Sequence, residues 1–161
     1  MKALIVYHSR TGHTAQAAGD IARGLQSGGA EVSVLETGEL DERAARPADF
    51  DVVVLGTPVY GYRLYRLPAR SVADWLASVG PAGLEGRTCG AFAVNAAWGG
   101  GLLVAAMERS LARKGGIVLA GGPVVRAGAP FSLWKGPDAS AEDVRKCEDF
   151  GRRLAASRPG A

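Results

Sequence analysis

The 161-residue sequence predicts an α/β domain in which five parallel strands, in the order 2-1-3-4-5, lie between two layers of helices. Apolar or β-branched runs of strand length alternate with segments of helical periodicity along the whole chain. Glycine-rich turns separate these segments, and no internal repeat, linker or low-complexity stretch interrupts them. Because strands that alternate with helices pair in parallel through right-handed crossovers, we expect one doubly wound, three-layer domain over residues 1–161.

The first half of the chain contains three predicted strands and two predicted helices. Residues 2–7 are largely apolar, which is typical of a strand covered on both faces, and residues 31–35 alternate like an edge strand. The clearest strand covers residues 51–56, where three valines and a leucine precede a glycine. Apolar residues at three- and four-residue spacing predict helices over residues 12–28 and 67–79.

The second half of the chain repeats the alternation of strand and helix. Strands are predicted over residues 89–94 and 117–125, and helices over residues 102–114 and 140–156. The last helix has acidic residues in its first turn, and its cap is either Asp138 or Ser140.

Composition and cysteine usage restrict the class of protein. Hydrophobic residues make up 47% of the chain and charged residues 22%, which is typical of a globular domain. No apolar run approaches the roughly 20 residues that span a bilayer, and the start of the chain has no signal-peptide pattern. Cys89 and Cys147 are too few and too far apart for a redox pair or a metal-ligand set. We therefore expect a reduced, cytoplasmic protein without a bound metal.

The charge of the chain and its lack of certain motifs exclude other classes. The net charge is +3 and the pI is near 9.1, but no run of Lys and Arg and no nucleic-acid motif is present. The sequence also lacks the GxxxxGK[ST] pattern of a Walker loop. A phospho-acceptor receiver domain would need acids after the first and third strands, where this chain has Tyr7-His8 and Gly56-Thr57.

Three loops of unusual composition follow the first, third and fourth strands, at residues 9–14, 57–62 and 95–101. In the order 2-1-3-4-5 these three strands are neighbours. Ligands of open parallel sheets bind at the carboxyl ends of the strands, near the point where the strand order reverses. We therefore expect the three loops to form one cleft.

The first loop has the chemistry of a phosphate site. Hydroxyls at Ser9, Thr11 and Thr14 can donate hydrogen bonds, and Gly12 allows a close approach of the backbone. The start of the following helix adds free N–H groups and the positive end of the helix dipole. A capped helix start rich in Ser and Thr is the alternative explanation of the same residues.

The other two loops carry aromatic residues beside glycines. The second loop contains Tyr60-Gly61-Tyr62, and the third contains Trp98 before three glycines. Exposed aromatic side chains on loops are unfavourable for the fold unless they stack on a flat group. A ligand with a phosphate tail and a planar aromatic ring satisfies all three loops, and flavin mononucleotide (FMN) is the candidate.

These loops resemble those of the flavodoxin family. The run Tyr7-His8-Ser9-Arg10-Thr11-Gly12-His13-Thr14 resembles the family's phosphate loop, whose usual pattern is Thr/Ser-x-Thr-Gly-x-Thr. The run Asp51-Val52-Val53-Val54-Leu55-Gly56-Thr57-Pro58, which continues to Tyr60-Gly61, resembles the second flavin loop in the Gly-Thr-Pro…Gly form of flavodoxin-like quinone reductases. Residues 95–101 are similar to the third loop in position and glycine content. By element order the resemblance covers nearly the whole chain and implies a flavodoxin-like fold.

The resemblance also implies which residues contact the flavin. The phosphate would be held by Ser9, Arg10, Thr11, Gly12, His13 and Thr14. Tyr60 would stack on the isoalloxazine ring, and the peptide of Gly61 could turn to hydrogen-bond the reduced flavin at N5. Trp98 or Tyr62 would cover another face or edge of the ring, and backbone groups of residues 95–99 would meet its pyrimidine end. The full expected set in the second and third loops is Thr57, Pro58, Val59, Tyr60, Gly61, Tyr62, Asn95, Ala96, Ala97, Trp98, Gly99 and Gly100.

The sequence departs from the family pattern in its charge and its length. Arg10 and His13 put positive charge beside the phosphate, where many flavodoxins have neutral residues, and the chain lacks the strong acidity of flavodoxins that carry electrons. The segment after the fifth strand is too short for the insertion of long-chain flavodoxins. Arg63, Arg66 and Arg70 either ring the cleft mouth, where they would favour an acidic partner or an anionic substrate, or form a solvated helix face.

Three functions are consistent with this sequence. The first is an FMN-binding redox protein that carries electrons between partners, with the flavin supplying the redox chemistry and no acid–base pair required. The second is an FMN-dependent oxidoreductase, which reduces a quinone with NAD(P)H or oxidises a protoporphyrinogen-type substrate. The third is an interaction module of flavodoxin shape that binds no flavin. The expected partners are a redox protein or a small acceptor such as a quinone, and a second subunit could complete the site.

Overall fold

The computed structural model describes residues 1–38, 46–60, 67–129 and 135–157. Its parallel sheet contains β1 (Lys2–Tyr7), β2 (Glu31–Glu36), β3 (Val52–Pro58) and β4 (Thr88–Asn95), followed by the short strands β5 (Ile117–Val118) and β6 (Val124–Arg126). The strand order is β2-β1-β3-β4-β5, with β6 also paired to β4, which confirms the predicted 2-1-3-4-5 order. The helices are α1 (His13–Ser27), α2 (Arg70–Ser78), α3 (Gly100–Arg113) and α4 (Ala141–Ala156), and residues Pro47–Asp49 form a 3-10 turn.

The sheet separates two apolar layers because neighbouring residues of each strand point to opposite faces. In β1, Ala3 and Ile5 pack with residues of α1 and α4, such as Ile21. Leu4 and Val6 pack on the other face with residues of α2 and α3, such as Leu103. The four residues of β1 from Ala3 to Val6 are fully buried, as the apolar run predicted.

The predicted fifth strand over residues 117–125 is wrong as a continuous element, because the structure divides it into β5 and β6. Gly121 adopts a left-handed conformation with φ of 78°, and Pro123 has no N–H to donate to a ladder. The carboxylate of Glu108 on α3 accepts hydrogen bonds from the N–H groups of Gly121 and Gly122, at 2.9 and 3.2 Å. These contacts satisfy the backbone where the strand is interrupted, and both halves still pair with β4.

The second helix is shorter than the sequence predicted, since α2 begins at Arg70 rather than at residue 67. Pro68 precedes the helix, and the N–H of Ala69 donates to the hydroxyl of Thr57 at 2.9 Å. Thr57 and Pro58, expected in the loop, are the last two residues of β3. The last helix begins as expected, because Ser140 accepts a hydrogen bond from the N–H of Asp143 at 3.1 Å.

Close contact between β3 and β4 depends on a glycine. Gly56 lies under the buried ring of Phe92, and a Cβ at this position would be only 2.0 Å from Cζ of that ring. The ring therefore occupies the space that a side chain at position 56 would need. Gly56 is the residue before Thr57, so this packing lies next to the last two residues of β3.

None of the helices in the described segments has both the length and the apolar character that a membrane crossing requires. Cys89 and Cys147 are buried free thiols. Burial raises the pKa of each thiol to about 12. Both cysteines therefore belong to the core, as expected for Cys89.

Candidate ligand-binding site

The loops after β1, β3 and β4 meet at the carboxyl edge of the sheet and line a pocket of about 240 Å³. A fourth segment, which follows β6, completes the wall. The lining residues are Arg10, Thr11, His13 and Thr14 from the first loop, Pro58, Val59 and Tyr60 from the second, Ala96 and Val94 near the third, and Ala127, Gly128 and Ala129 from the fourth. The predicted convergence of loops is therefore present in the fold.

The first loop ends in a helix start whose cap is a glycine. Gly12 caps α1 with φ of 92°, a left-handed conformation, and as a glycine it has no side chain that could accept from the first turn as a standard N-cap would. Instead, the hydroxyl oxygen of Ser9 accepts from the N–H groups of Gly12 and Ala15, at 3.2 and 3.4 Å. The N–H groups of His13 and Thr14, at the first two helical positions, have no intrahelical acceptor. These two N–H groups are at the N-terminal end of α1, which is the positive end of the helix dipole and the end where an anion binds most favourably.

Two hydroxyls of the same loop line the pocket without a hydrogen-bond partner among the described residues. They belong to Thr11, which is half-buried, and to Thr14, which is 2% exposed. No acidic residue occupies the first turn of α1. Since a hydroxyl can donate to a phosphate oxygen, this arrangement provides two donors that no described residue uses.

The first loop is anchored by the neighbouring strands. The N–H of Ser9 donates to the carboxylate of Glu36 at 3.2 Å, and the N–H of His8 donates to the carbonyl of Gly56 at 3.1 Å. Glu36 ends β2 and Gly56 lies in β3, so the loop is held from both sides of β1. These two contacts attach the backbone of the loop to the sheet.

His13 has its ring nitrogens directed at protein groups. Its Nε2 lies 2.6 Å from the carbonyl oxygen of Lys135, and its Nδ1 lies 3.3 Å from the amide oxygen of Gln16. The carboxylate of Asp138 is 3.6 Å from the same Nδ1. The ring still contributes to the pocket wall, but its polar atoms are used to connect α1 to the segment before α4.

Arg10 places a positive charge on the pocket wall, and Tyr60 places an aromatic ring there. Burial raises the pKa of the Tyr60 hydroxyl, and the positive charge of Arg10 partly offsets this rise. No carboxylate lies among the described residues that line the pocket. The pocket therefore suits an anion on the side of Arg10 and an aromatic group on the side of Tyr60.

A short chain of polar groups leads from β2 towards Tyr60. The hydroxyls of Thr37 and Ser71 are 2.7 Å apart, and the Ser71 hydroxyl is 3.4 Å from Nδ1 of His8. The ring of His8 then meets the ring of Tyr60 with a centroid distance of 6.1 Å and an interplanar angle of 57°. This tilted contact is in the range of favourable aromatic pairs and helps to hold the Tyr60 ring beside the pocket.

The third loop has a helix start like that of the first. Gly99 caps α3 with φ of 92°, and Gly100 packs so closely against Val124 that a Cβ would be 2.3 Å from that side chain. Trp98 is 56% exposed, and Ala97 is half-buried. Asn95 is 6% exposed, and its side-chain oxygen has no hydrogen-bond partner in the described part of the chain.

Several predicted residues cannot be placed or do not line the pocket. Gly61, Tyr62, Arg63 and Arg66 lie outside the described residues. Arg70 is on the surface, with its side chain 95% exposed and 3.7 Å from the carboxylate of Asp74. That position agrees with a solvated helix face for Arg70.

The segment Ala127, Gly128 and Ala129 was missing from the sequence-based prediction of the site. It follows β6, so the same rule about carboxyl ends of strands could have identified it. Its residues carry no polar side chain, which is why composition did not draw attention to it. Gly128 has φ of 85° and a Cβ there would be 3.3 Å from the ring of His13.

The fold places the chain in the class of doubly wound α/β proteins, and its pocket lies at the carboxyl edge of the sheet, where proteins of this class bind their ligands. A model of the flavodoxin family matches residues 5–118. The chain belongs to the flavodoxin family, as the loop sequences predicted. A search of curated proteins finds no match to this sequence.

Solved structures with the same fold are distant in sequence. Oxidised flavodoxin 1 from Bacillus cereus is 20% identical, with 98% of this chain and 99% of that chain covered and a TM-score of 0.76. A WrbA-like flavodoxin from Agrobacterium tumefaciens is 23% identical, with coverages of 96% and 95% and a TM-score of 0.75. Rubredoxin oxygen:oxidoreductase from Desulfovibrio gigas is 16% identical over 97% of this chain and 35% of that one, with a TM-score of 0.77. At these identities the likeness shows the fold alone.

Proposed function

We propose that this member of the flavodoxin family binds FMN in the pocket at the carboxyl edge of the sheet and carries electrons between redox partners. The proposal rests on the donors at the start of α1 that have no acceptor among the described residues. The hydroxyls of Thr11 and Thr14 and the first N–H groups of the helix face a pocket that contains Arg10 and no described carboxylate. Such a set suits a phosphate monoester.

The remaining walls fit the other parts of FMN. Tyr60 offers an aromatic face that His8 supports from behind, and the polar chain through Ser71 holds His8. The pocket volume of about 240 Å³ is below the roughly 300–1,000 Å³ of sites that enclose a whole organic ligand. We therefore expect the pocket to take the phosphate end and to leave part of the ring accessible near the exposed Trp98.

When bound, FMN would supply the redox chemistry, and the protein would supply its position and its electrostatic surroundings. Arg10 and the dipole of α1 would stabilise the phosphate. Tyr60 would limit the access of water to one face of the ring. An accessible ring edge is what electron exchange with a partner requires.

An FMN-dependent oxidoreductase is the second candidate. Arg10 is exposed at the pocket, and the chain as a whole has a net charge of +3. A positive pocket rim would attract an anionic donor such as NAD(P)H, whose hydride could then reduce a quinone through the flavin. A domain of this fold without any flavin is the third candidate, and it predicts that FMN does not bind.

The test is a titration of the flavin-free full chain with FMN, followed by a search for turnover. Quenching of flavin fluorescence that saturates at one FMN per chain would support the proposed site. Absence of binding at excess FMN would contradict both flavin functions. With the FMN-loaded protein, steady oxidation of NAD(P)H in the presence of quinones would favour the oxidoreductase, and negligible turnover with reversible chemical reduction would favour the carrier.

A further inference from the structure

The imidazole of His13 is a buried titratable group on the wall of the ligand pocket. Its residue is 3% exposed and is among those that line the pocket. His13 is also the first residue of α1, so its own N–H is one of the two free donors at the start of the helix. An anion that accepts from this N–H therefore lies close to the imidazole of the same residue.

The polar atoms that contact the two ring nitrogens in the described part of the chain are oxygens. Nε2 lies 2.6 Å from the carbonyl oxygen of Lys135, and a carbonyl only accepts. Nδ1 lies 3.3 Å from the amide oxygen of Gln16 and 3.6 Å from Oδ1 of Asp138. An amide can be turned so that its nitrogen donates, but an ionised carboxylate has no hydrogen to give. These surroundings therefore suit an imidazolium, which has a hydrogen on each nitrogen.

Burial and neighbouring cations oppose the charged form of the ring. Arg10 lines the same pocket, and the ammonium of Lys135 lies 3.5 Å from the carboxylate that faces His13, that of Asp138. Tyr60, on the same pocket wall, has its pKa raised by burial and so adds no negative charge at neutral pH. Among its described residues the pocket wall thus has no negative charge to balance a proton on His13.

A phosphate at the start of α1 supplies that negative charge. A phosphate monoester carries about 1.5 to 2 negative charges at pH 7. An opposite charge close to a titratable group favours its charged form, so the phosphate favours the imidazolium of His13. The effect is reciprocal, because a proton on the ring favours the phosphate by the same factor.

We propose that His13 takes up a proton from solvent when FMN binds, and that this proton strengthens the selection of FMN over flavins without a phosphate. The proposal rests on the FMN site proposed above. The proton is added at Nδ1, where it faces Gln16 and Asp138, while Nε2 keeps its hydrogen bond to Lys135. Proton uptake on binding means that the affinity for FMN falls as the pH rises through the range in which imidazole titrates.

The experiment is a calorimetric titration of the flavin-free full chain with FMN at pH 7, in two buffers that differ in their enthalpy of ionisation. His13→Gln keeps an N–H donor in the side chain but cannot titrate. The parent protein should take up about half a proton more per FMN than this variant. From pH 6.5 to pH 8.5 its FMN affinity should fall about tenfold relative to that of the variant, which cancels the titration of the phosphate itself. Riboflavin, which lacks the phosphate, should bind without proton uptake.

Two further variants test the assignment without changing His13. His8→Gln removes the only other histidine of the sequence and should keep the proton uptake per bound FMN. Asp138→Asn removes the carboxylate beside Nδ1 and should move the fall in FMN affinity to lower pH. Its matched control is Asp149→Asn, because both carboxylates are exposed, at 63% and 65%, and each pairs with a cation three positions away. The control should leave the pH dependence unchanged.

The outcomes separate this inference from the proposed function. FMN binding with equal proton uptake in the parent protein and His13→Gln would overturn the role of His13 and leave the FMN site standing. Loss of the uptake in His8→Gln, or equal pH shifts in Asp138→Asn and Asp149→Asn, would also overturn it. Absence of FMN binding to the parent protein would contradict the proposed function itself, and this inference with it.

Discussion

Nε2 of His13 lies 2.6 Å from the carbonyl oxygen of Lys135, so the first residue of α1 is joined to the segment that leads into α4. Because a carbonyl only accepts, Nε2 must carry a hydrogen and donate it. The ring is 3% exposed, and residues 13 and 135 are 122 positions apart in the chain. One buried side chain on the pocket wall therefore links the first loop to a segment more than 100 positions later in the chain.

His13→Ala should lower the free energy of unfolding by about 1 to 3 kcal/mol, because the Lys135 carbonyl loses its donor and the buried ring leaves a void. Urea denaturation of the flavin-free protein measures this change. The control is Gln16→Ala, an exposed residue whose contact with the same ring is longer, at 3.3 Å. If both variants were equally stable, the link between His13 and Lys135 would not be a stabilising contact.

Tyr60→Leu should weaken FMN binding about three- to tenfold, since an aromatic contact contributes about 0.5 to 1.5 kcal/mol beyond the area it buries. Tyr60→Phe keeps the ring and its tilted contact with His8, so its FMN affinity should stay close to that of the parent protein. Fluorescence titration of the two variants makes the comparison. An equal loss in both would indicate that the hydroxyl, rather than the ring, contacts the ligand.

Gly56→Ala should lower the stability of the protein by about 3 kcal/mol, because the new Cβ would be 2.0 Å from the buried Phe92 ring. Gly19→Ala is the matched control within α1, where a Cβ has no atom within 4 Å. That substitution should raise the stability by about 0.5 to 1 kcal/mol, since alanine is the better helix former. Chemical denaturation of both variants checks that the two changes in the free energy of unfolding have opposite signs. If Gly56→Ala left the free energy of unfolding unchanged, the Phe92 ring would be able to move aside.

The buried thiols predict how stability depends on alkaline pH. The pKa of Cys89 and that of Cys147 rise from an ordinary value of 9.0 to about 12 in the folded protein. Between these values the unfolded chain loses thiol protons that the folded chain keeps. The free energy of unfolding should therefore fall as the pH rises, by up to about 1.4 kcal/mol per pH unit for each thiol.

Denaturation curves at pH 8 and pH 10 test this dependence. The double variant Cys89→Ala and Cys147→Ala should show a shallower fall in stability than the parent protein, whatever its stability at pH 8. In the folded parent protein both thiols should react slowly with thiol reagents at pH 8. An unchanged pH dependence in the double variant would show that other groups cause the fall.

The sequence predicted the parallel sheet because short, continuously apolar runs are typical of strands that are covered on both faces. The buried residues Val52 to Leu55 form such a run. The sequence did not predict the interruption at Gly121, because the residues on both sides are apolar and resemble one continuous strand. The interruption depends on Glu108 of α3, whose carboxylate accepts a hydrogen bond from the N–H of Gly121. The contact between His13 and Lys135 also depends on the tertiary fold. Ala127 and Ala129 line the pocket because they follow β6, and their small apolar side chains gave no sign of this in the sequence.

A comparison of FMN with riboflavin tests most directly whether the start of α1 binds the phosphate of FMN. Riboflavin has the same ring but no phosphate. With two or three charge-assisted hydrogen bonds to the loop, the flavin-free full chain should bind FMN at least about 100-fold more tightly than riboflavin. In the double variant Thr11→Val and Thr14→Val, FMN affinity should fall about tenfold or more and riboflavin affinity should not change. Equal affinity for the two flavins, or an equal loss for both in the double variant, would contradict the phosphate site.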